Sequence, residues 1–203
     1  MRFCAAEEVM SLANSAGEWR GFVLLAAYGG LRIGEVCGLQ LRDVDFLRRR
    51  VTVNRTLSEV GGRLLVGPPK GRYSRRCVNL PKFVVDELAR GIDPDADPGD
   101  FLFRYRGKEV RPSWFRKRVW RPVVAAAGLQ GLRFHDLRHT AAALAIAAGA
   151  HPKVLQERLG HHSAAFTLDR YGHLIDTLDQ ELADRLDRGA QVTAKVTSDG
   201  RHA

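Results

Sequence analysis

The stretch Phe134-His135-Asp136-Leu137-Arg138-His139-Thr140 decides how the chain is read, together with Leu159-Gly160-His161-His162-Ser163 and Asp169-Arg170-Tyr171-Gly172-His173 further on. Residues 141–150 are a run of small apolar side chains that predicts a helix interior. If that helix begins near Phe134, His135 and Arg138 stand at i, i+3 and leave its first turn on one face. An imidazole and a guanidinium then lie beside helix N–H groups, a setting that favours anions such as phosphate. Gly160 ends a second helix predicted over residues 152–159, so His161 emerges from a tight turn. Tyr171 follows about three helical turns later, at the end of a helical segment over 164–170. One acid–base group, one phosphate fork and one tyrosine point together to covalent chemistry on a phosphodiester.

Composition sets the bounds. The 203 residues are enough for one domain with a real core. Lys+Arg 32 against Asp+Glu 23 gives a net charge of +9 and a pI near 10.0, which suits a polyanionic partner. Cys4, Cys37 and Cys77 are scattered and odd in number. Neither a disulfide framework nor a zinc site is expected, and a reducing cytoplasm is the simplest setting. The apolar runs near 22–31 and 141–150 are too short to span a bilayer, and no signal-peptide pattern opens the chain.

Earlier in the chain, residues 5–13 and 19–28 carry helical periodicity. Gly29-Gly30 then breaks the chain before Leu31-Arg32-Ile33-Gly34-Glu35-Val36-Cys37-Gly38-Leu39. Ile33, Val36 and Leu39 share one face of a short helix, and Arg32 and Glu35 share another at i, i+3. The pair is either a surface ion pair worth a few tenths of a kcal/mol or part of a ligand site that the paired glycines let the backbone approach. Strands are predicted over 41–46, 50–57, 64–66 and 75–80, with Gly61-Gly62 as a hairpin turn. The intervening Gly67-Pro68-Pro69-Lys70-Gly71-Arg72-Tyr73-Ser74-Arg75-Arg76 lacks P-loop spacing, so ATP use has no support. Its cations fit either a solvated hairpin edge or a nucleic-acid contact. A helix is predicted over 81–88 and an exposed loop over 91–100. Residues 104–108 and 111–121 bring further cations, Arg116 and Lys117 among them, interleaved with Tyr105, Trp114, Phe115 and Trp120. That basic face fits a DNA backbone or plain solvation. After His173, Leu174, Ile175, Leu178, Leu182 and Leu186 form a narrow apolar stripe on an acidic helix over 174–188. Residues 189–203 read as a disordered tail. The predicted fold is mainly α with a small antiparallel β-sheet in the N-terminal third.

His-x-x-Arg, then Leu-Gly-His, then a tyrosine about ten residues on resembles the C-terminal signature of the tyrosine recombinase, or phage integrase, family. The stretch around Arg32 is similar to that family's first arginine box, and the resemblance covers residues 5 to about 188. It implies the family's catalytic-domain fold over 1–188, with the helix 174–188 often docked into a neighbouring protomer. Most members also carry an N-terminal helical DNA-binding domain. Met1 lies almost at the start of the catalytic domain here, so that domain is expected to be absent.

The resemblance implies a site-specific DNA recombinase in which Tyr171 attacks the scissile phosphate, leaving a 3′-phosphotyrosyl link and a free 5′-hydroxyl. Arg32 and Arg138 would grip the phosphate oxygens, and His135 would act as base for a tyrosine whose ordinary pKa is about 10. His161 would hydrogen-bond the phosphate, and Glu35 would steady its neighbours. Lys70 matches the family's mobile hairpin lysine and would protonate the leaving oxygen, with Arg72 as a competitor. Arg72, Arg75, Arg76, Arg116 and Lys117 are the expected DNA-binding cations. The covalent link stores the phosphodiester energy, so neither ATP nor any other cofactor or metal is expected. The partners implied are double-stranded DNA and further copies of the chain assembled on it, in the cytoplasm at the nucleoid. Three alternatives stand beside this reading. They are a metalloenzyme using His135 and His139, which lacks the glutamate of His-Glu-x-x-His; a non-catalytic DNA-binding protein with the same fold; and a type IB topoisomerase.

Overall fold

Helix α2 (Arg20–Gly29) is buried along almost its whole length, as its all-round apolar sequence requires. The structure is a computed structural model that describes residues 2–69, 74–163, 165, 169 and 171. Around α2 pack α1 (Ala6–Ser15), α4 (Lys82–Arg90) and α7 (Asp136–Ala147). Gly30 ends α2 in the left-handed region at φ 68°. A Cβ there would lie 2.8 Å from Leu159 Cδ2 and 3.3 Å from Ala141 Cβ. The Gly29-Gly30 turn is therefore where α2 meets α7 and α8 (Pro152–Leu159).

Next comes α3 (Ile33–Gly38), whose N-cap is Arg32 in extended geometry. A Cβ on Gly34 would lie 2.4 Å from Leu57 O, and one on Gly38 3.2 Å from Thr56 Cα. These two glycines, one turn apart, let a strand backbone rest directly on the helix. Strands β1 (Val44–Asp45), β2 (Arg50–Val53) and β5 (Arg76–Asn79) form an antiparallel sheet in the order β1-β2-β5. Val51 pairs with Val78, and Val53 with Arg76. Strands β3 (Thr56–Val60) and β4 (Arg63–Gly67) form a separate hairpin. Its turn residues Gly61 and Gly62 have φ 56° and 74°, as a two-residue hairpin with right-handed strand twist demands.

Three local expectations change. The strand predicted over 50–57 breaks at Asn54 and Arg55, because both side chains turn back to the Asp43 carboxylate. Leu41–Asp43, expected in a strand, forms a 3-10 turn closed by the Gln40 N–H donating to Asp43 at 2.8 Å. A third ladder, β6 (Arg104–Tyr105) with β7 (Lys108–Glu109), lies in a stretch read only for its cations.

Helix α5 (Pro112–Phe115) continues through a π-helical turn, Arg116–Trp120, into α6 (Arg121–Ala126). The wider turn buries the adjacent Val119 and Trp120 together while Arg116, Lys117 and Arg118 stay exposed. Phe115 stacks on Phe22 at 3.9 Å, and Trp19 and Phe134 meet Phe115 edge-on. Helix α7 begins at Asp136, two residues later than predicted. The Asp136 carboxylate accepts the Arg133 N–H at 2.9 Å and its guanidinium at 2.7 Å, which fixes the turn before the helix. Helix α8 has the predicted limits. Among the described residues no helix is long and apolar enough to cross a membrane. The architecture is mainly helical with small antiparallel sheets, as the sequence predicts. Lys70, Arg72, the helix over 174–188 and the tail over 189–203 lie outside the described residues.

Candidate active site

Glu35 is 2 % exposed and sits in the first turn of α3. Its carboxylate accepts the Arg32 backbone N–H at 2.8 Å and Arg32 Nη1 at 2.9 Å. On its other side it accepts Arg76 Nη1 at 3.1 Å and Nη2 at 2.8 Å. Burial alone would raise this carboxyl, but hydrogen bonds and charge from Arg76, then Arg32, outweigh it and hold the group below its ordinary value. The sequence pairing of Arg32 with Glu35 is thus present, but as half of a clamp that β5 completes.

Arg76 requires a correction. Expected among the DNA-binding cations, it is turned inward with only 5 % of its side chain exposed. Besides Glu35 it donates Nε–H to Arg158 O at 2.7 Å and Nη1–H to Ser74 O at 3.0 Å. Four of the five guanidinium N–H donors are engaged, so it acts as a strut and offers no open fork. Strand alternation carried the signal: Arg76 shares parity with buried Val78, whereas Arg75, Cys77 and Asn79 are exposed. The sequence reading also missed Arg158, which donates to Asn79 O at 2.8 Å and to Tyr28 O. It ties the end of α8 to β5 and α2.

Arg138 lies in the first turn of α7, 3 % exposed. It donates Nη1–H to Gly30 O at 2.6 Å and Nη2–H to Leu159 O. Both acceptors sit at helix C-termini, where carbonyl dipoles attract cations. Burial and then the charges of Arg32 and Arg76 lower its pKa, with Glu35 and Tyr171 opposing. Three guanidiniums, Arg32, Arg76 and Arg138, thus crowd about one carboxylate and leave the cluster cationic. Arg32 is the open member, with 42 % of its side chain exposed.

His135 caps α7. Burial, then Arg138 and Arg32, hold its imidazole below the ordinary value and favour the neutral ring. His161 follows the left-handed Gly160 (φ 64°) and donates its N–H to Gln156 O at 3.0 Å. Its ring lies parallel to that of Tyr171, centroids 6.5 Å apart. Tyr171 is 1 % exposed and packs with Ala142, Ile146, Leu155 and Leu159. The ring that meets its hydroxyl is His139, with Nδ1 2.8 Å from Oη. His139 was not among the expected site residues, although its spacing four residues after His135 puts it on the same helix face. Arg75, Arg116 and Lys117 are exposed. Among the described residues no group of three His, Cys, Asp or Glu side chains converges as metal ligands would. The arrangement can bind an oxyanion between Arg32, Arg138 and His135 and bring a phenol and an imidazole to it.

Comparison with known proteins agrees with this architecture. The Tn1549 transposon integrase in complex with transposon right end DNA superposes with a TM-score of 0.73 at 23% identity, covering 92% of this chain and 66% of that one. The crystal structure of XerA recombinase gives a TM-score of 0.68 at 28% identity, over 91% and 65% of the two chains. The fold is therefore that of a tyrosine recombinase catalytic domain. The ICEBs1 integrase of Bacillus subtilis (strain 168) is 31% identical over 181 residues, 83% of this chain and 48% of its own length. The profile of the phage integrase family matches residues 2–177, and the chain belongs to that family. It spans about half the length of the ICEBs1 integrase.

Proposed function

We propose that residues 1–188 are the catalytic domain of a site-specific DNA recombinase that cuts and rejoins strands through a 3′-phosphotyrosyl intermediate. The observation that carries this reading is a cationic cluster, Arg32, Arg76 and Arg138 about Glu35, beside a tyrosine whose hydroxyl is hydrogen-bonded to an imidazole. A phosphodiester supplies the anion such a cluster is built to receive. Tyr171 is the nucleophile. Arg32 and Arg138 stabilise the negative charge that builds on the non-bridging oxygens. His135, expected from the resemblance to act as the base, is assigned with His161 to hydrogen-bond the same group, because the imidazole in contact with the Tyr171 hydroxyl is that of His139. Glu35 holds Arg32 in place, and Lys70 is the acid for the 5′ oxygen. No energy donor is needed, because the phosphotyrosine conserves the bond energy for rejoining. Arg75, Arg116 and Lys117 contact the DNA backbone, further copies of the chain assemble on the duplex, and the work takes place in the cytoplasm at the nucleoid. The matched relatives carry the names integrase and recombinase, which favours strand exchange over topoisomerase-like relaxation.

Incubation with nicked duplex DNA, followed by denaturing electrophoresis and peptide mapping, tests the reading. A covalent adduct on Tyr171, lost in Tyr171→Phe with DNA binding retained, is the expected result. DNA mapped to any other residue sinks the mechanism.

A further inference from the structure

We infer that His139 receives the Tyr171 proton when the nucleophile attacks, an assignment that rests on the strand-transfer reading above. The contact is short, Nδ1 to Oη 2.8 Å, and both partners are buried, His139 at 5 % and Tyr171 at 1 % exposure. The tyrosine ring is gripped by Ala142, Ile146, Leu155 and Leu159 and flanked by the parallel His161 ring. Its hydroxyl meets the His139 imidazole. His135, one turn earlier on α7, meets His139 edge-on, ring centroids 5.1 Å apart. The two histidines thus divide the work along one helix face, His135 at the helix start beside the arginines and His139 on the phenol.

The surrounding charges favour this division. The carboxylates on the neighbouring elements are committed, Asp136 to Arg133 and Glu35 to Arg32 and Arg76. The Arg138 charge acts on Tyr171 and favours negative charge developing on its oxygen, while the Asp136 carboxylate faces the His139 ring that takes up the proton. As Tyr171 Oη bonds to phosphorus and the bond from phosphorus to the 5′ oxygen breaks, the phenolic proton passes to His139 Nδ1. The departing 5′ oxygen takes a proton from the general acid proposed at Lys70. Rejoining reverses both transfers: the 5′-hydroxyl returns its proton to the lysine amine, and the imidazolium returns its proton to Oη.

The test uses His139→Ala and His139→Asn in the whole chain, with single-turnover adduct formation on nicked DNA read across pH. His139→Ala is expected to slow cleavage by roughly 10²- to 10⁴-fold at neutral pH. The loss should shrink as pH rises toward the ordinary tyrosine value of about 10, where hydroxide replaces the base. His139→Asn keeps a hydrogen-bonding group near Oη but cannot take up a proton, and should remain slow. Wild-type rates in His139→Asn, or a loss that does not change with pH, overturn the inference. Tyrosine ¹³C NMR supplies a readout independent of activity. The resonance that disappears in Tyr171→Phe should shift in both His139 variants, and an unmoved resonance also overturns the contact. If the wild type forms no adduct, the strand-transfer reading fails while the NMR result still decides the contact. If His139→Ala does not fold, His139→Asn carries both measurements.

Discussion

Arg76 of β5 and Glu35 of α3, 41 residues apart, are joined by two hydrogen bonds of 2.8 and 3.1 Å. The same carboxylate accepts both the backbone and the side chain of Arg32. A strand residue 41 positions away in sequence therefore helps set the position of Arg32, through the carboxylate they share.

Arg76→Ala removes one partner of a buried pair whose side chains are 5 % and 3 % exposed. Breaking such a pair costs about 3–5 kcal/mol. Denaturant unfolding should show a loss in that range. A loss below about 1 kcal/mol would mean that Arg32 alone satisfies Glu35.

Glu35 also makes stability depend on pH. Its folded pKa is depressed, so its contribution is present above the ordinary carboxyl value of 4.5. It is lost as pH falls through the folded value. The stability difference between wild type and Glu35→Gln should be largest near neutrality and shrink in acid. A difference that does not change with pH argues against an ionised Glu35.

The two proposed phosphate arginines should separate in stability. Arg32 is half-exposed, so Arg32→Ala should slow adduct formation by about 10²- to 10³-fold while changing stability by about 1 kcal/mol or less. Arg138 is held by Gly30 O and Leu159 O, so Arg138→Ala should lose both rate and stability. Arg138→Lys should rescue poorly, since an ammonium cannot reproduce the planar fork. Paired unfolding and single-turnover measurements check all three variants.

Gly34→Ala places a methyl 2.4 Å from Leu57 O, a backbone atom that cannot step aside without moving β3. A loss of about 1–3 kcal/mol is expected, with slower adduct formation because Arg32 and Glu35 ride on the same helix. Gly91→Ala, whose nearest neighbour would be Leu88 O at 3.9 Å, is the control and should be near neutral in both assays.

Arg116→Ala and Lys117→Ala test the exposed basic turn. Each lost phosphate contact lowers the slope of log K against log salt by about 0.9. Titrations at several salt concentrations should show that change for each variant. Unaltered slopes would assign these cations to solvation.

The helices, and the placing of His135 and His161 at helix ends, were legible because their signals are local. Helix α8 ends where Gly160 says it must, and α2 is apolar on every face. Arg76 was misread because its neighbours in sequence are cations, while its neighbours in space are Glu35 and two carbonyls. Only the alternation with Val78 distinguished it. The break at Asn54 and Arg55 was invisible because Asp43, the acceptor that bends the chain there, lies 11 and 12 residues away. His139 was weighed only as a metal ligand beside His135, because its partner Tyr171 lies 32 residues away and meets it only in the fold.

The anchors of the inward arginines are largely peptide carbonyls: Gly30 and Leu159 for Arg138, Arg158 and Ser74 for Arg76, Asn79 and Tyr28 for Arg158. A carbonyl survives any substitution at its own residue. Apart from Gly30, whose left-handed turn leaves no room for a side chain, a substitution at these positions does not itself delete an acceptor; a change that shifts the chain path, such as a one-residue deletion, does. The aim of these guanidiniums therefore depends on the path of the backbone more than on the side chains strung along it.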